Sequence, residues 1–133
     1  MPATGTLTLG KKERIAGKRL VETLFKGGVS RSMSCYPLRA VYALVPMADD
    51  GSSAKMMVSV PKRHFKRAVK RNRVKRQVRE AYRKQKHLLC RTMDNHPGQT
   101  LTVAFIWLSD RLFDSRHIDE RVGMLLTRIS EVL

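Results

Sequence analysis

Cysteines and long hydrophobic runs are both rare in this sequence of 133 residues. Its two cysteines, Cys35 and Cys90, are 55 residues apart and belong to no C-x-x-C pair. The longest hydrophobic run, residues 101–108 with Thr102 inside it, is well short of the roughly 20 residues that a membrane-spanning helix needs. The first residues also lack the features of a secretory signal. We therefore expect a cytoplasmic protein in which both thiols are reduced and buried or half-buried.

Acidic residues are also scarce. The sequence contains 11 of them against 27 lysines and arginines, which gives a formal net charge of +16. Such an excess opposes a compact fold unless a polyanion neutralises it, so we expect nucleic acid or an anionic membrane as the partner and no neutral small-molecule substrate. Hydrophobic residues make up 42% of the chain, too many for a disordered basic tail. The length predicts a single domain over residues 1–133, with 1–13 as a flexible extension.

No combination of residues typical of a protein active site is present. The four histidines are scattered, and for most of them we expect contact with solvent or phosphate rather than general-base catalysis. They are His64, His87, His96 and His117. Cys90 and His96 have no second ligand pair nearby, so a zinc site is not indicated. Four acids lie near the start of the last predicted helix, where capping and the helix dipole explain them: Asp110, Asp114, Asp119 and Glu120. Any catalysis would therefore depend on groups or metal ions that a partner supplies.

Nearly half of the basic residues lie in one segment, residues 62–86. It holds thirteen of the 27 and a single acid, Glu80. The thirteen are Lys62, Arg63, Lys66, Arg67, Lys70, Arg71, Arg73, Lys75, Arg76, Arg79, Arg83, Lys84 and Lys86. This segment carries three quarters of the excess positive charge. The surface that faces a polyanion is therefore predicted to be local.

The spacing within this segment predicts an amphipathic helix over residues 71–89. At 100° per residue, one set of polar side chains falls on a face about 100° wide. They are Asn72, Lys75, Arg76, Arg79, Arg83 and Lys86. The other side carries an apolar stripe that can pack on a sheet, made of Val74, Val78, Ala81, Tyr82 and Leu89. Residues 61–70 are predicted to form a loop or a separate turn before the helix.

This basic face differs from an ordinary solvated helix face. Solvated helices mix charge signs at a spacing of four residues, whereas Lys75, Arg79 and Arg83 follow one another at that spacing. Like charges so placed repel each other, which favours phosphate binding as their role, with the arginines supplying forked donors. Contact with six to ten phosphates would weaken binding by roughly 10³ to 10⁵ between 50 and 200 mM salt.

Two further helices are predicted at the two ends of the chain. The first covers residues 18–26 and ends at Gly27, which can adopt the left-handed conformation of a helix C-terminus. The second covers residues 118–133, where apolar side chains recur at helical spacing, with Asp114 or Ser115 as the N-cap.

Three segments are predicted to form strands. Residues 36–45 and 55–60 are rich in strand-forming side chains, and the turn residues at 49–53 are expected to join them into a hairpin. Residues 100–108 form a nearly continuous apolar run, which is typical of a central buried strand. Together with the helices, these strands indicate the α+β class.

Two aromatic residues have two open interpretations. Phe25 and Tyr42 lie near basic elements, where aromatic rings can stack on the bases of single-stranded nucleic acid. Ordinary core packing is the alternative. Core packing is favoured for Phe25, which follows Leu24, while the pattern leaves the two roles equal for Tyr42.

Residues 68–80, AVKRNRVKRQVRE, carry a specific pattern. The segment resembles the Arg-Asn-Arg signature of the bacterial ribonuclease P protein family, including the Lys-Arg and Arg-Glu pairs that follow it. Residues 58–63, VSVPKR, are similar to the strand and paired bases that precede the signature in that family. The similarity extends to Arg14-Ile15, to Phe25-Lys26-Gly27 and to Tyr42, which falls where the family's first long strand carries an aromatic residue.

The resemblance implies a particular fold. It is a small α/β sandwich in which a sheet of about four strands packs with three helices, like the second domain of a small-subunit ribosomal protein. The connection through the signature helix is implied to be a left-handed βαβ crossover, against the general right-handed rule.

The resemblance also implies a function, as the protein subunit of a ribonucleoprotein that removes the 5′ leader from precursor tRNA. Its implied partners are a catalytic RNA and precursor tRNA, with no membrane and no required protein partner, and the RNA performs the hydrolysis with Mg²⁺. The implied RNA-binding residues are Lys62, Arg63, Arg67, Arg71, Asn72, Arg73, Lys75, Arg76, Arg79 and Arg83. A cleft for the single-stranded leader is implied at Val21, Phe25, Tyr42 and Val58.

This sequence departs from the family pattern at two positions. Val21 stands where many relatives carry a second aromatic residue, and Lys66 stands where a glycine is common.

Two other functions fit the charge. A ribosome-associated or other structural RNA-binding protein would have no role in cleavage, and a nuclease acting alone would need clustered carboxylates that the sequence lacks. A protein that recognises double-stranded DNA is a more distant alternative.

Overall fold

The computed structural model describes residues 30–46 and 53–133, which form four strands and three helices. The strands are β1 (Arg31–Cys35), β2 (Leu38–Pro46), β3 (Ala54–Ser59) and β4 (Gln99–Trp107). The helices are α1 (Ala68–Gln85), α2 (His87–Met93) and α3 (Ser115–Val132). The predicted α+β class is confirmed. The predicted helix over 18–26 and most of the predicted turn at 49–53 lie outside the described residues.

The four strands form one mixed sheet in the order β1-β2-β4-β3. β4 is antiparallel to β2 on one side and parallel to β3 on the other. Along β4, Val103 is paired with both Tyr42 and Met56. Seven of the nine residues of β4 are buried, as expected for an apolar strand covered on both faces. The prediction of a central strand is therefore confirmed.

The predicted hairpin between 36–45 and 55–60 is wrong. β2 and β3 do not pair, because β4 takes the position between them. Turn residues indicate where a chain reverses, but they do not decide which strand becomes the neighbour. The more apolar β4 gains most from the interior of the sheet, since an interior strand is removed from water on every side. The hairpin seen in the described residues joins β1 to β2 around Tyr36 and Pro37.

The parallel pair β3 and β4 requires a crossover connection, which α1 and α2 supply. Parallel strands end at the same edge of a sheet, and Ser59 at the end of β3 is paired with Ile106 near the end of β4. The segments that follow these strands, residues 61–67 and 108–114, therefore emerge side by side.

The main core lies between one face of the sheet and the helices. The predicted apolar stripe of α1 is confirmed there for Val74, Val78, Ala81 and Tyr82, each of which is 0% exposed. α3 contributes a second buried stripe, Ile118, Val122, Leu125, Leu126 and Ile129. The opposite face of the sheet contributes a smaller buried cluster of Val41, Ala43 and Ala104.

The predicted helix over 71–89 is divided in the structure. α1 begins three residues earlier, at Ala68, and ends at Gln85, while Leu89 belongs to α2. The new helix starts from the carbonyl of Lys86, which accepts from the N–H groups of Leu89 and Cys90. A projection at 100° per residue holds only along an uninterrupted helix. The assignment of Lys86 to the basic face is therefore wrong, and its side chain is buried at 5% exposure.

Asp114 is the N-cap of α3, which decides between the two predicted candidates. Its Oδ1 accepts from the backbone N–H of His117 at 2.8 Å. The prediction for the thiols is confirmed for Cys35, which is buried, and wrong for Cys90, which is exposed. Cys90 lies one residue, about 100° of helix rotation, past the buried Leu89. None of the described helices is long and apolar enough to cross a membrane.

Candidate nucleic-acid interface

The loop at 61–67 and the outer side of α1 form one continuous basic surface. Eight of the thirteen basic residues in this region are exposed: Lys62, Arg63, Lys66, Arg67, Lys70, Arg73, Arg76 and Lys84. Four are half-buried, namely Arg71, Lys75, Arg79 and Arg83. Asn72 is exposed between them. The polar side chains that the sequence assigned to RNA therefore lie together on one side of the molecule, with Lys66 and Lys70 as additional exposed cations.

The start of α1 adds to the positive character of this surface. The first turn contains no acid, and the N-cap residue Arg67 makes no side-chain capping bond. The free N–H groups of a helix N-terminus carry a partial positive charge that favours anions. Here that charge adds to the side chains of Arg67, Lys70 and Arg71.

Arg71, the first arginine of the signature, has a structural role in addition to its charge. Its Nη1 donates to the carbonyl oxygens of Phe65 at 2.6 Å and Lys66 at 2.8 Å. The guanidinium group thus holds the end of the loop at 61–67 against the first turn of α1.

A second contact holds the same loop from the other side. His64 Nδ1 lies 2.6 Å from Asp110 Oδ1, and Asp110 belongs to the segment that follows β4. The His64 side chain is only 10% exposed. The predictions for both residues are therefore wrong, because His64 is packed against the body and Asp110 pairs with it while Asp114 alone caps α3. The sequence carried no signal for this pair, whose members are 46 residues apart.

The two charged residues Glu80 and Arg83 partly cancel each other on the basic side of α1. The Arg83 guanidinium forms a hydrogen-bonded ion pair with Glu80 one turn earlier. This bond lowers the pKa of the Glu80 carboxyl and raises that of Arg83. Part of the positive charge of Arg83, one of the predicted RNA contacts, is therefore neutralised within the helix.

The side of α1 that faces α3 is fixed by polar contacts that sequence analysis missed. Gln77 Nε2 donates to the carbonyl of Phe113 and to Ser115 Oγ, both at 3.1 Å. Further along, Gln85 Nε2 donates to the carbonyl of Asp119 at 2.9 Å, and Lys84 Nζ lies 2.7 Å from the Asp119 carboxylate. Asp119, which was predicted to act through capping, therefore joins the two helices instead.

Gly123 leaves the space that the Gln85 side chain occupies between the two helices. A Cβ atom at this position would overlap the Gln85 side-chain amide. A larger residue at this position would require the end of the Gln85 side chain to move.

The two described residues of the predicted leader cleft belong to the core. Tyr42 is 6% and Val58 is 8% exposed, and both side chains lie in the main cluster. Core packing is thus established for Tyr42, the alternative that the sequence left open. Tyr42 also borders a pocket of about 300 Å³ together with Arg31, His96 and Leu133. The other two cleft residues, Val21 and Phe25, lie outside the described residues, and contact with a leader stays a prediction for all four.

The remaining histidines and acids do not form a reactive cluster in the part of the chain that the structure describes. His117 stacks on Phe113 with ring centroids 4.9 Å apart and accepts from Arg121. His96 Nε2 lies 3.1 Å from the Leu133 carbonyl oxygen. No three His, Cys, Asp or Glu side chains within 30–46 and 53–133 come together as metal ligands would.

A mixed four-stranded sheet with helices on one face and a clustered cationic surface defines a small α+β nucleic-acid-binding domain. Comparison with known proteins is more specific, since residues 9–97 match the family described as Ribonuclease P. The chain belongs to the ribonuclease P protein family. It therefore acts as a subunit of an endoribonuclease of tRNA processing, and the RNA of that ribonucleoprotein is its partner.

The similarity to individual relatives covers nearly the whole chain. Two proteins called ribonuclease P protein component, from two strains of Porphyromonas gingivalis, are 41% and 42% identical over 130 residues, which is 98% of this chain and 92% of theirs. The solved ribonuclease P protein from Thermotoga maritima superposes with a TM-score of 0.64 at 20% identity, covering 87% of this chain and 96% of that one. A mutant ribonuclease P protein from Staphylococcus aureus gives 0.61 at 15% identity and covers 98% of both chains. These two structures support the fold.

Proposed function

We propose that this chain binds the catalytic RNA of ribonuclease P through the loop at 61–67 and the outer side of α1, and that it holds the 5′ leader of precursor tRNA beside the sheet. The observation that carries the first part is the two-sided character of α1. Its apolar side is fully buried, so the helix is fixed in place, while its other side presents cations with a single acid among them.

Electrostatics is the main contribution that such a surface makes. Two RNA molecules repel each other, and clustered lysines and arginines lower the cost of bringing them together while condensed counterions are released. Arginine side chains add direction, because the guanidinium fork matches two phosphate oxygens. Exposed Arg67, Arg73 and Arg76 are best placed for such contacts.

The hydrolysis itself is assigned to the RNA subunit with Mg²⁺. Bound Mg²⁺ would activate the attacking water and stabilise charge on the scissile phosphate. The described residues do not fit a protein site for this ion, because Mg²⁺ needs clustered oxygen ligands and the carboxylates here are dispersed or paired with cations. No step of the protein's own action therefore runs through the ion.

The pocket beside Tyr42 supports the leader part of the proposal. Its described lining combines an aromatic ring with the cationic Arg31 and the imidazole of His96. Such a combination suits a single-stranded segment, which needs a surface for a base and a positive group for a phosphate. We assign the leader to this side of the sheet, with Val21, Phe25 and Val58 as its further contacts.

The test is a cleavage assay at low Mg²⁺ with a bacterial ribonuclease P RNA, a precursor tRNA, and the chain present or absent. We expect the chain to stimulate removal of the leader and to bind precursor tRNA more tightly than mature tRNA in the complex. Binding to the RNA without any stimulation would instead support a structural RNA-binding protein. Cleavage by the chain without the RNA subunit would contradict the assignment of the chemistry.

Two further parts of the proposal have their own tests, and the first uses the same reconstitution. Full stimulation by the purified chain and RNA alone is expected if no other protein is required. We also propose that the protein works in the cytoplasm, and location of the tagged chain in fractionated cells checks this.

A further inference from the structure

The loop at 61–67 is the densest part of the basic surface, and it has a defined shape without being a helix or a strand. Four of its seven residues are exposed cations, Lys62, Arg63, Lys66 and Arg67. The two residues between these pairs point inward, since Phe65 is 5% exposed and the His64 side chain 10%. Each pair of cations is therefore displayed by the burial of the residues between them.

Two independent contacts hold this shape. From α1, Arg71 donates to the carbonyl oxygens of Phe65 and Lys66. From the segment after β4, Asp110 pairs with His64 at 2.6 Å. A carboxylate can only accept a hydrogen bond, so His64 Nδ1 carries the hydrogen. The parallel pairing of β3 and β4 brings these two segments to the same edge of the sheet.

The position of Asp110 is unfavourable for RNA binding by charge alone. Its side chain is 77% exposed, and it lies beside the loop that carries four cations. A negative charge there repels phosphate and neutralises nearby positive charge. Its contact with the buried His64 is the feature that offsets this disadvantage. The imidazole has no other described partner, because its buried Nε2 makes no hydrogen bond within 30–46 and 53–133.

We propose that Asp110 and Arg71 are positioning residues, which hold the 61–67 loop in the conformation that binds the catalytic RNA. The inference rests on the proposed function and deepens it, because it separates residues that contact RNA from residues that prepare the contact. Loop residues that are already ordered do not have to be immobilised when RNA binds, and this preorganisation increases affinity. Arg71 acts in this scheme mainly through the two carbonyl oxygens and not as one more phosphate contact.

The sharpest test is Asp110→Ala, because the two explanations predict opposite signs. If charge alone mattered, removing an acid would tighten RNA binding. We expect RNA binding to weaken by about three- to tenfold, the effect of losing one hydrogen bond of ordinary net strength. The matched control is Glu131→Ala, which removes the same charge from the last turn of α3, about 25 Å along that helix from its N-cap. This control should bind RNA as well as the wild-type chain or slightly better.

Rescue and salt dependence separate positioning from direct contact. Asp110→Asn keeps an oxygen that accepts from His64 and should restore most of the affinity. Arg71→Lys keeps the charge, but its shorter side chain places the ammonium group one atom closer to the backbone than Arg71 Nη1, the atom that donates to both carbonyl oxygens. We expect it to lose about tenfold in affinity with an unchanged slope of log affinity against log salt, since no phosphate contact is removed. Arg76→Lys, on the exposed side of the same helix, should lose less.

Hydrogen exchange of the free protein completes the test. Amides of residues 62–67 should exchange faster in Asp110→Ala and Arg71→Lys than in the wild-type chain, while those of β4 stay protected. If the wild-type chain binds RNA but Asp110→Ala binds equally well or more tightly, the inference is overturned and the proposed function stands. If the wild-type chain does not bind the catalytic RNA, the proposed function fails and this inference fails with it.

Discussion

The helices α1 and α3 have the same length and the same packing role, yet their outer surfaces differ. Each has 18 residues and buries an apolar stripe in the main core. α3 begins with a side-chain cap and mixes charges of both signs along its outer side, whereas α1 has no cap and presents mostly cations. The comparison teaches that one side of a helix fixes its position while the other side, almost independently, determines what it binds.

The largest expected effect concerns the buried side, where the two helices are alike. Leu125→Ala should lower the free energy of unfolding by about 2–5 kcal/mol, because it leaves a cavity at a fully buried position. Urea denaturation measures this loss. RNA affinity of the folded protein should stay the same, and Thr127→Ala on the exposed side should change neither quantity. A loss of RNA binding by folded Leu125→Ala protein would contradict the conclusion that the buried side of a helix fixes its position while the exposed side determines what it binds.

The next effect concerns the exposed side, where the two helices differ. Replacing Arg73 and Arg76 together by Ala should cost about 2 kcal/mol or more in binding to the catalytic RNA, at about 1 kcal/mol or more per charge-assisted contact. The slope of log affinity against log salt should fall by about 2. The matched control replaces Arg116 and Arg128, two exposed arginines of α3, and removes the same charge. Equal losses in both variants would show that net charge, and not the position of α1, governs binding.

A smaller effect concerns the N-terminal ends of the helices α1 and α3. Asp114→Ala removes the cap of α3 and should cost about 1 kcal/mol of stability, seen in thermal or urea unfolding. Arg67→Ala at the equivalent position of α1 removes no capping bond, so its stability should be unchanged. RNA affinity should respond in the opposite way, because Arg67→Ala should reduce it and Asp114→Ala should leave it unchanged. A stability loss in Arg67→Ala comparable to that of Asp114→Ala would contradict this contrast.

The smallest effect concerns the one acid on the basic side of α1. Glu80→Gln removes the negative charge that pairs with Arg83, so RNA binding should tighten at low salt and the salt slope should steepen by up to about 1. The ion pair with Arg83 lowers the pKa of Glu80, so its stabilising effect is fully present at pH values above the ordinary pKa of a glutamate. It is lost as the pH falls through the lowered value, where Glu80 becomes protonated. The difference in stability between the wild-type chain and Glu80→Gln should disappear over that range, as unfolding measured against pH will show.

Periodicity predicted the elements that bury one continuous stripe. The apolar sides of α1 and α3 could be predicted from the sequence because their apolar residues recur with the period of a helix. The central strand β4 could be predicted because its apolar run is nearly continuous. The break at Lys86 could not, because a helical projection assumes an uninterrupted axis. The pairing of β4 between β2 and β3 was also missed, since strand order depends on competition among segments far apart in the chain.

The candidate site divides in the same way. The cations of 62–86 and their clustering on one side are visible in the sequence, as is the signature that led to the family. The His64–Asp110 pair, the bonds from Arg71 to the loop and the contacts of Gln77 and Gln85 with α3 are not. Each of these joins side chains to partners whose identity no local pattern specifies.

The sequence by itself determined that this is a small, strongly basic α+β protein whose positive charge is concentrated along one helix and the loop before it. Charge and hydrophobic spacing are properties of the chain, and they persist in whatever fold the chain adopts. Only the tertiary structure decided which cations are free for RNA and which are buried, paired or used to hold the loop. Part of that decision lies in nearby contacts, as in the bonds of Arg71 to the loop and of Arg83 to Glu80. The rest depends on contacts between residues 35 to 46 positions apart, such as Lys84 with Asp119 and His64 with Asp110, and these exist only once the sheet has brought the separate segments together.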